Sequence, residues 1–273
     1  MAEVVHPADV RKIELVECAA VLDMYGAAPA GVRSELGIEH RAVDGGGALL
    51  VCRGIDNLQF NRLVGFGVAS PVRAEALDQA LAELDRVGVR NWVVHIAEGT
   101  GELAGMCAAR GLAPHPRTWA KFIRGSETVA AGARPQVREA TPAEAAVFGS
   151  IAGGTYGLPP AAASWIAALV GRPGWHCLMA FDQGTPVGTG AVFVSGDAAW
   201  LGLGATLPSH RRQGAQSALL AARVETAGRH GCRVLTTETG VPLPGESGPS
   251  YRNIQTAGFR IAYLRPNLRR PES

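Results

Sequence analysis

The sequence predicts an α/β protein, in the α+β sense, built as two tandem copies of one plan, and three observations carry that prediction. Short apolar runs of strand length alternate with segments whose apolar residues recur at helical spacing. Residues 125–135, GSETVAAGARP, are small, polar and punctuated by glycine and proline, which reads as a linker. On either side of it, helices precede a glycine-containing strand, and a proline, a helix, a strand, a helix and a strand then follow. The expected division is a first copy over 1–125, a linker over 126–135 and a second copy over 136–273.

A chain of 273 residues with 47% hydrophobic and 18% charged residues has room for two cores of ordinary globular composition. A net charge of +2 provides no broad basic field, so nucleic acid is not expected as a partner. Lys12 and Lys121 are the only lysines. The cysteines (Cys18, Cys52, Cys107, Cys177 and Cys232) form no C-x-x-C pair and have no zinc-type histidine spacing, so they read as small buried hydrophobes in a reducing compartment. The first fifteen residues lack a signal-type apolar core, and no apolar run approaches the ~18 residues of a membrane span. A cytoplasmic protein with no membrane partner is expected.

In the first copy, residues 9–24 place Val10, Ile13, Val16, Ala20 and Leu22 at helical spacing. Residues 29–36 read as a second helix, with Pro29 at its first position and Gly37 ending it. Gly45, Gly46 and Gly47 make a turn, and residues 48–52 and 60–68 follow as strands. Leu77, Ala80, Leu81, Leu84 and Val87 lie on one face of a helix that starts at Arg73 and stops at Gly88. A buried strand over 91–97, a helix over 102–109 and a strand over 119–123 complete this copy.

In the second copy a strand starts over 137–140. Thr141-Pro142-Ala143-Glu144 then signals a helix start, with a threonine cap, proline at the first position and glutamate closing a capping box. Residues 160–170 are a second helix. Residues 175–181, 186–194 and 199–206 are consecutive strands joined by turns at 182–184 and 195–197. A helix with Leu220, Val224 and Ala227 on one face runs to Gly231, and 233–239, 250–257 and 260–265 are a strand, a short helix and a last strand.

The informative stretch is LGATLPSHRRQGAQSALL, residues 203–220. A strand that feeds a helix through a basic, glycine-bearing loop leaves backbone N–H groups unpaired at the helix N-terminus. The helix dipole, Arg211 and Arg212 add positive potential there, so the loop suits a phosphate-bearing ligand. No G-K-[ST] is present, and Gly202-x-Gly204 lacks a third glycine, which excludes the Walker and dinucleotide fingerprints. From Pro208 the spacing is P-x-x-R-x-x-G-x-Q. It resembles the acetyl-CoA loop of the GNAT superfamily of N-acetyltransferases, R/Q-x-x-G-x-G/A, with Gln216 in the second small position. The order β-α-α-β-β-β-α-β-α-β from residue 136 is similar to the GNAT order, as is Gly258-Phe259 before the last strand. The resemblance covers about half the chain and implies a mixed, mostly antiparallel sheet flanked by helices. The first copy then reads as degenerate, because Pro71 corresponds to Pro208 but Ala74 stands in place of Arg211 and Leu77 in place of Gly214.

The resemblance also implies acetyl-CoA as cosubstrate, no metal, and acetyl transfer to an amine by direct attack in a ternary complex. The acceptor is expected to be a small molecule or a peptide, and the protein a monomer or homodimer. Gly204, Ala205 and Thr206 are expected to offer edge backbone groups to the pantetheine amides. The N–H groups of Arg212, Gln213, Gly214, Ala215, Gln216 and Ser217 are expected to cradle the pyrophosphate, with Arg211 beside them. Asn253 lies next to the expected coenzyme path. Acetyl transfer needs a base for the ammonium and an acid for the departing thiolate. The usual GNAT acid is a tyrosine at the position of Ile254, so Tyr251 on the same short helix is the replacement candidate. Glu238 is the candidate base, since partial burial in an apolar, threonine-rich strand would raise its pKa; His176 and His210 are alternatives. Tyr156 and Trp165 fall where GNAT enzymes build the acceptor wall. Ile254 also leaves a second function open, a non-catalytic acyl-CoA-binding or sensor protein of the same fold.

Overall fold

Two sheets carry the chain, and each borrows a strand from the other copy. The computed structural model describes residues 5–43, 45–129 and 135–271, and the middle of the expected linker, residues 130–134, lies outside them. The first half runs α1 (Pro7–Gly26), α2 (Ala30–Leu36), β1 (Ile38–Val43), β2 (Gly47–Cys52), β3 (Arg62–Val64), α3 (Ala74–Arg86), β4 (Val93–His95), α4 (Gly101–Ala108), β5 (Ala113–Pro114) and β6 (Trp119–Arg124). The second runs β7 (Gln136–Glu139), α5 (Ala145–Thr155), α6 (Pro160–Ala167), β8 (Trp175–Asp182), β9 (Thr185–Ser195), β10 (Ala198–Thr206), α7 (Ala215–Arg229), β11 (Val234–Gly240), α8 (Pro249–Thr256), β12 (Arg260–Arg265) and β13 (Asn267–Arg269).

The first sheet has the order β1-β2-β3-β4-β13-β5 and the second β12-β6-β11-β10-β9-β8-β7. Only β3/β4 and β10/β11 are parallel, so both sheets are mixed and mostly antiparallel. The orders correspond strand for strand from β1 and β8 onward. The place held in one sheet by β13, from the chain's end, is held in the other by β6, from before the linker. β6 pairs along its whole length with β11 on one side and β12 on the other. Its sequence WAKFIR is buried except at the last residue, so it requires cover on both edges and both faces. The sheets therefore cross the expected boundary at 125, and the two copies are locked together by exchange.

The second sheet buries both faces. Leu178, Ala180, Val192, Leu201 and Leu235 pack under α7 and α8. Their alternates Cys177, Met179, Phe193 and Trp200 pack with α1, α5 and α6, as the period of two requires. α1 also packs against Leu50 and Cys52 of the first sheet, and this position between two sheets accounts for its apolar residues all round. A capping box of Thr141 and Glu144 opens the turn before α5, with the Thr141 N–H donating to Glu144 Oε2 at 2.9 Å.

Five strands differ from the sequence reading, two of them, β5 and β13, being short strands with no expected counterpart. The strand expected over 60–68 is only Arg62–Val64, because Gly65 and Gly67 take φ of 66° and 86° and turn the chain out of the sheet. The strand expected over 91–97 shrinks to Val93–His95, since its partner β3 is equally short. β1, with sequence IEHRAV, was not expected; it is an edge strand whose middle is exposed and lacks a clean alternation. In the first copy Leu77 is fully buried in α3, so the position equivalent to Gly214 serves the core. No single helix among the described residues is long and apolar enough to cross a membrane.

Candidate active site

β10 and β11 run parallel but pair only from Ala198↔Val234 to Trp200↔Thr236. Beyond that point the register of β10 against β9 shifts between Gly202 and Ala205, and Leu203 takes a φ of 53°, rare for a branched side chain. β10 thus bulges away from β11 and opens a gap through the middle of the sheet; bulges beside active sites commonly re-aim a strand in this way. The bulge is held from several sides. Arg223 of α7, 4% exposed, donates from Nη1 to Gly202 O at 3.1 Å and from Nε to Leu219 O at 3.2 Å. The hydroxyls of Thr237, Thr189 and Tyr156 donate to the carbonyls of Leu201, Leu203 and Gly204 at 2.8, 3.2 and 2.9 Å. Its carbonyls are satisfied without a strand partner, which is what a persistent gap needs.

A cleft of about 1410 Å³ occupies this gap, larger than a site for one drug-sized ligand. At one end lies the loop after β10. A 3-10 turn, Pro208–His210, leads to Arg212 with φ 62° and Gly214 with φ 84°, the residue that caps α7. These left-handed residues aim successive N–H groups into one concavity. Ala218 N–H bonds Gly214 O at 2.9 Å, so the N–H groups of Ala215, Gln216 and Ser217 precede the first intrahelical bond of α7. Arg211 and Arg212 are exposed and have no carboxylate partner among the described residues. A Gln216 Nε2 bond to Thr206 Oγ1 at 2.7 Å ties α7 to the strand, which gives the glutamine a structural reason to stand where a small residue is usual.

Residues 151–244, from within α5 to just past β11, match the model of the Acetyltransferase (GNAT) family. The family match lies within the second copy. Over nearly the whole chain the fold is similar to solved structures of GNAT proteins. A GCN5-related N-acetyltransferase from Kribbella flavida superposes with a TM-score of 0.62 at 15% identity, covering 95% of this chain and 96% of that one. A GCN5-related N-acetyltransferase from Sphaerobacter thermophilus gives 0.56 at 17%, covering 98% and 94%. A tandem GNAT protein from the clavulanic acid biosynthesis pathway gives 0.56 at 17%, covering 94% and 92%. No curated protein matches the sequence.

Most residues expected at the GNAT coenzyme loop line the one cleft. Gly204, Ala205, Thr206, Arg211, Arg212, Gly214, Ala215, Gln216 and Ser217 do so, and Asn253 and Ser250 join them from α8. Gln213 does not; its side chain folds back to Ser209 O at 3.3 Å. Tyr156 and Trp165 line the cleft from the other side of the sheet. Tyr251 departs from expectation. Its ring packs edge-on against Phe122 at 5.3 Å and it does not line the cleft, while buried Ile254 is part of the same core and lines the cleft. Tyr251 and Ile254, three residues apart and so about 60° apart round the helix, both pack on that core, and only Ile254 also reaches the cleft lining. His176 is also elsewhere, stacked 4.0 Å from His230 and 3.1 Å from Glu139, and His210 sits at the mouth beside Ser209 at 2.9 Å.

Glu238 lies in the gap, where β11 has left β10. Both its oxygens accept from the Trp200 indole N–H at 3.1 Å, and Lys121 Nζ lies 3.3 Å away. Burial, followed by the Glu17 charge, raises its pKa; Lys121, Arg265 and Arg62 only partly offset this. Behind it a buried cluster spans both copies. Lys121 meets Glu17 of α1 at 2.5 Å, and Glu17 is held by Arg265 at 2.6 Å and Arg62 at 3.2 Å. Arg265 also meets Glu14 at 3.0 Å, and the Tyr263 hydroxyl donates to Glu14. Burial works to raise the pKa of Glu17, but Arg265, Lys121 and Arg62 hold it well below the usual carboxylate range. Lys121, which burial alone would lower, is raised by Glu17 and Glu238.

The sequence reading did not include Trp200, Arg223, Lys121 or Glu17 in the site. Lys121 alone left a signal, as a lone lysine inside the apolar run WAKFI. No group of three or more metal-ligating side chains occurs among the described residues.

Proposed function

We propose that the protein is an acetyl-CoA-dependent N-acetyltransferase that binds coenzyme and amine at opposite ends of the cleft. The observation that carries this is Glu238, a carboxylate of raised pKa set in the same gap that the α7 N-terminus opens onto. The unpaired N–H groups of Ala215 to Ser217, with Arg211 and Arg212, fit a pyrophosphate, and the free edge of β10 fits the pantetheine amides. Bound there, acetyl-CoA supplies an activated acetyl group as a thioester. Glu238 takes the proton from the acceptor's ammonium, and the neutral amine attacks the carbonyl carbon directly. The C–N bond forms as the C–S bond breaks, the nitrogen sheds its second proton, and that proton, passed through water, converts the departing CoA thiolate to the thiol. Five buried, free cysteines suit work in a reducing compartment such as the cytoplasm.

A second reading, an acyl-CoA-binding sensor, is favoured by Tyr251 being turned onto Phe122 and by Ile254 standing in the cleft lining. Calorimetry with acetyl-CoA, combined with thiol release in the presence of a panel of primary amines, separates the two. One bound coenzyme per chain with amine-dependent thiol release is expected. Tight binding with no release for any amine would favour the sensor. The double substitution Arg211→Ala/Arg212→Ala should weaken acetyl-CoA binding by roughly tenfold or more, since charge-assisted phosphate contacts are each worth ~1.5–3 kcal/mol before screening.

A further inference from the structure

The end of the cleft opposite α7 has a chemistry of its own. It lies on the sheet face that carries Trp200 and Glu238, and it is roofed by both copies. Met24 and Phe60 come from the first; Leu158, Trp165 and Ile166 come from the second. The indole and phenol groups of this wall are already committed, whereas the Thr155 hydroxyl, also in the lining, is buried without a partner. The Trp165 indole N–H donates to Met24 O at 2.6 Å, the Trp200 indole N–H to Glu238, and the Tyr25 hydroxyl behind the wall to Phe60 O at 2.5 Å. Trp165 stands 5.9 Å from Phe60 and is braced edge-on by Tyr25 at 4.8 Å. What is left for a ligand at this end is a mostly aromatic and apolar surface, with the Thr155 hydroxyl and the Gln59 side chain as its uncharged polar points.

Charge narrows the ligand further. Glu238 is the single carboxylate among the described residues that line the cleft, whereas Arg62, Arg211, Arg212, Arg223 and Arg252 all line it. Arg62 is neutralised by Glu17 at 3.2 Å, but the rest of the cleft remains cationic. One ammonium can be placed at Glu238 and over the Trp200 ring. A second positive charge on the same molecule would meet no carboxylate and several guanidinium groups, which disfavours polyamines, aminosugars with several amines and lysine-rich peptides.

We infer that the acceptor is a primary monoamine carried on an apolar, aromatic body, with the first copy supplying part of its binding wall through Phe60 and Met24. This rests on the acetyltransferase reading for its chemistry, but its test does not depend on turnover. Binding of 2-phenylethylamine, ethylamine and spermidine to the CoA-saturated protein is measured by calorimetry, and acetylation of the same three is followed by thiol release. 2-Phenylethylamine is expected to bind at least tenfold more tightly than either of the others. Phe60→Ala should collapse the ratio between 2-phenylethylamine and ethylamine to about threefold or less. Spermidine binding as well as or better than the aromatic amine overturns the inference, even if spermidine is acetylated and the enzyme reading therefore holds. Preferential binding of 2-phenylethylamine without acetylation sustains this subsite and overturns the catalytic role of Glu238 instead.

Discussion

Glu238 is asked to do two opposed things, and its surroundings show how both are met. As a base it must shed its proton in working conditions; as a buried carboxylate it resists doing so. Lys121 at 3.3 Å and the Trp200 N–H at 3.1 Å supply the compensation, and they leave a pKa raised above the carboxylate value of 4.5. With Glu238 as the base, kcat/KM is expected to rise with pH along a limb centred above the ordinary carboxylate range. Glu238→Gln should remove that limb and lower kcat by ~10²–10⁴, the usual size of a general-base contribution. Its acetyl-CoA Kd should stay within about threefold, because coenzyme is held at the other end of the cleft. The raised pKa also means that the folded state binds this proton more tightly than the unfolded chain does. Glu238 therefore favours folding at low pH and opposes it once ionised. Glu238→Gln is accordingly expected to melt at a higher temperature than the parent at pH 8. An unchanged or lower Tm there would show that the ion pair with Lys121 outweighs burial.

At the scale of elements, β10 is where a strand becomes a site. Trp200 and Gly202 lie on one face two residues apart, and a Cβ at Gly202 would come within 1.9 Å of the Trp200 ring. Only glycine lets the indole lie along the strand and reach Glu238. Gly202→Ala should force the ring aside, shift the pH limb of kcat/KM upward as the carboxylate loses its N–H donor, and lower activity by roughly tenfold or more. A pH profile and Tm both matching the parent would count against this coupling. Much of this region was legible in the sequence. The runs of β8, β9 and β10, the capping box at Thr141 and Glu144 and the loop to α7 are local features, set by turn residues and periodicity. Where β11 stops pairing with β10 was not legible, because register between strands 36 residues apart is a tertiary outcome. Tyr251 was misplaced for a related reason, since α8 is short and only its packing on Phe122 fixes which face it presents. Trp200 carries no signal in the sequence beyond its place in an apolar strand, because the carboxylate that accepts its N–H is 38 residues further on.

For the molecule as a whole, the buried ions and the exchanged strands act on the same seam. Glu17, with its pKa held well down, adds stability above about pH 4.5 that is lost as pH falls through the lowered value. Lys121, raised above 10.5, adds stability at lower pH that is lost as pH climbs through its raised value. Thermal melts should show a plateau through neutral pH with a steep fall on the acid side, and a flat acid limb would argue that the cluster does not act as a unit. β13 places Leu268 in the core of the first sheet and pairs with β4 and β5. A chain stopped after Arg265 should therefore lose Tm by well over 5 °C, although it keeps every cleft residue. Equal melting of the two chains would show that the exchanged strand is dispensable. The exchange also has a bearing on how the protein is made. The first sheet waits for residues 267–269, from beyond the whole second copy, and β6 waits for β11 and β12 before either of its edges is covered. Neither sheet can close until strands from both copies have been synthesised, so a nascent chain carries an uncovered, apolar β6 until β11 and β12 have emerged, and this is the segment that chaperones would be expected to shield.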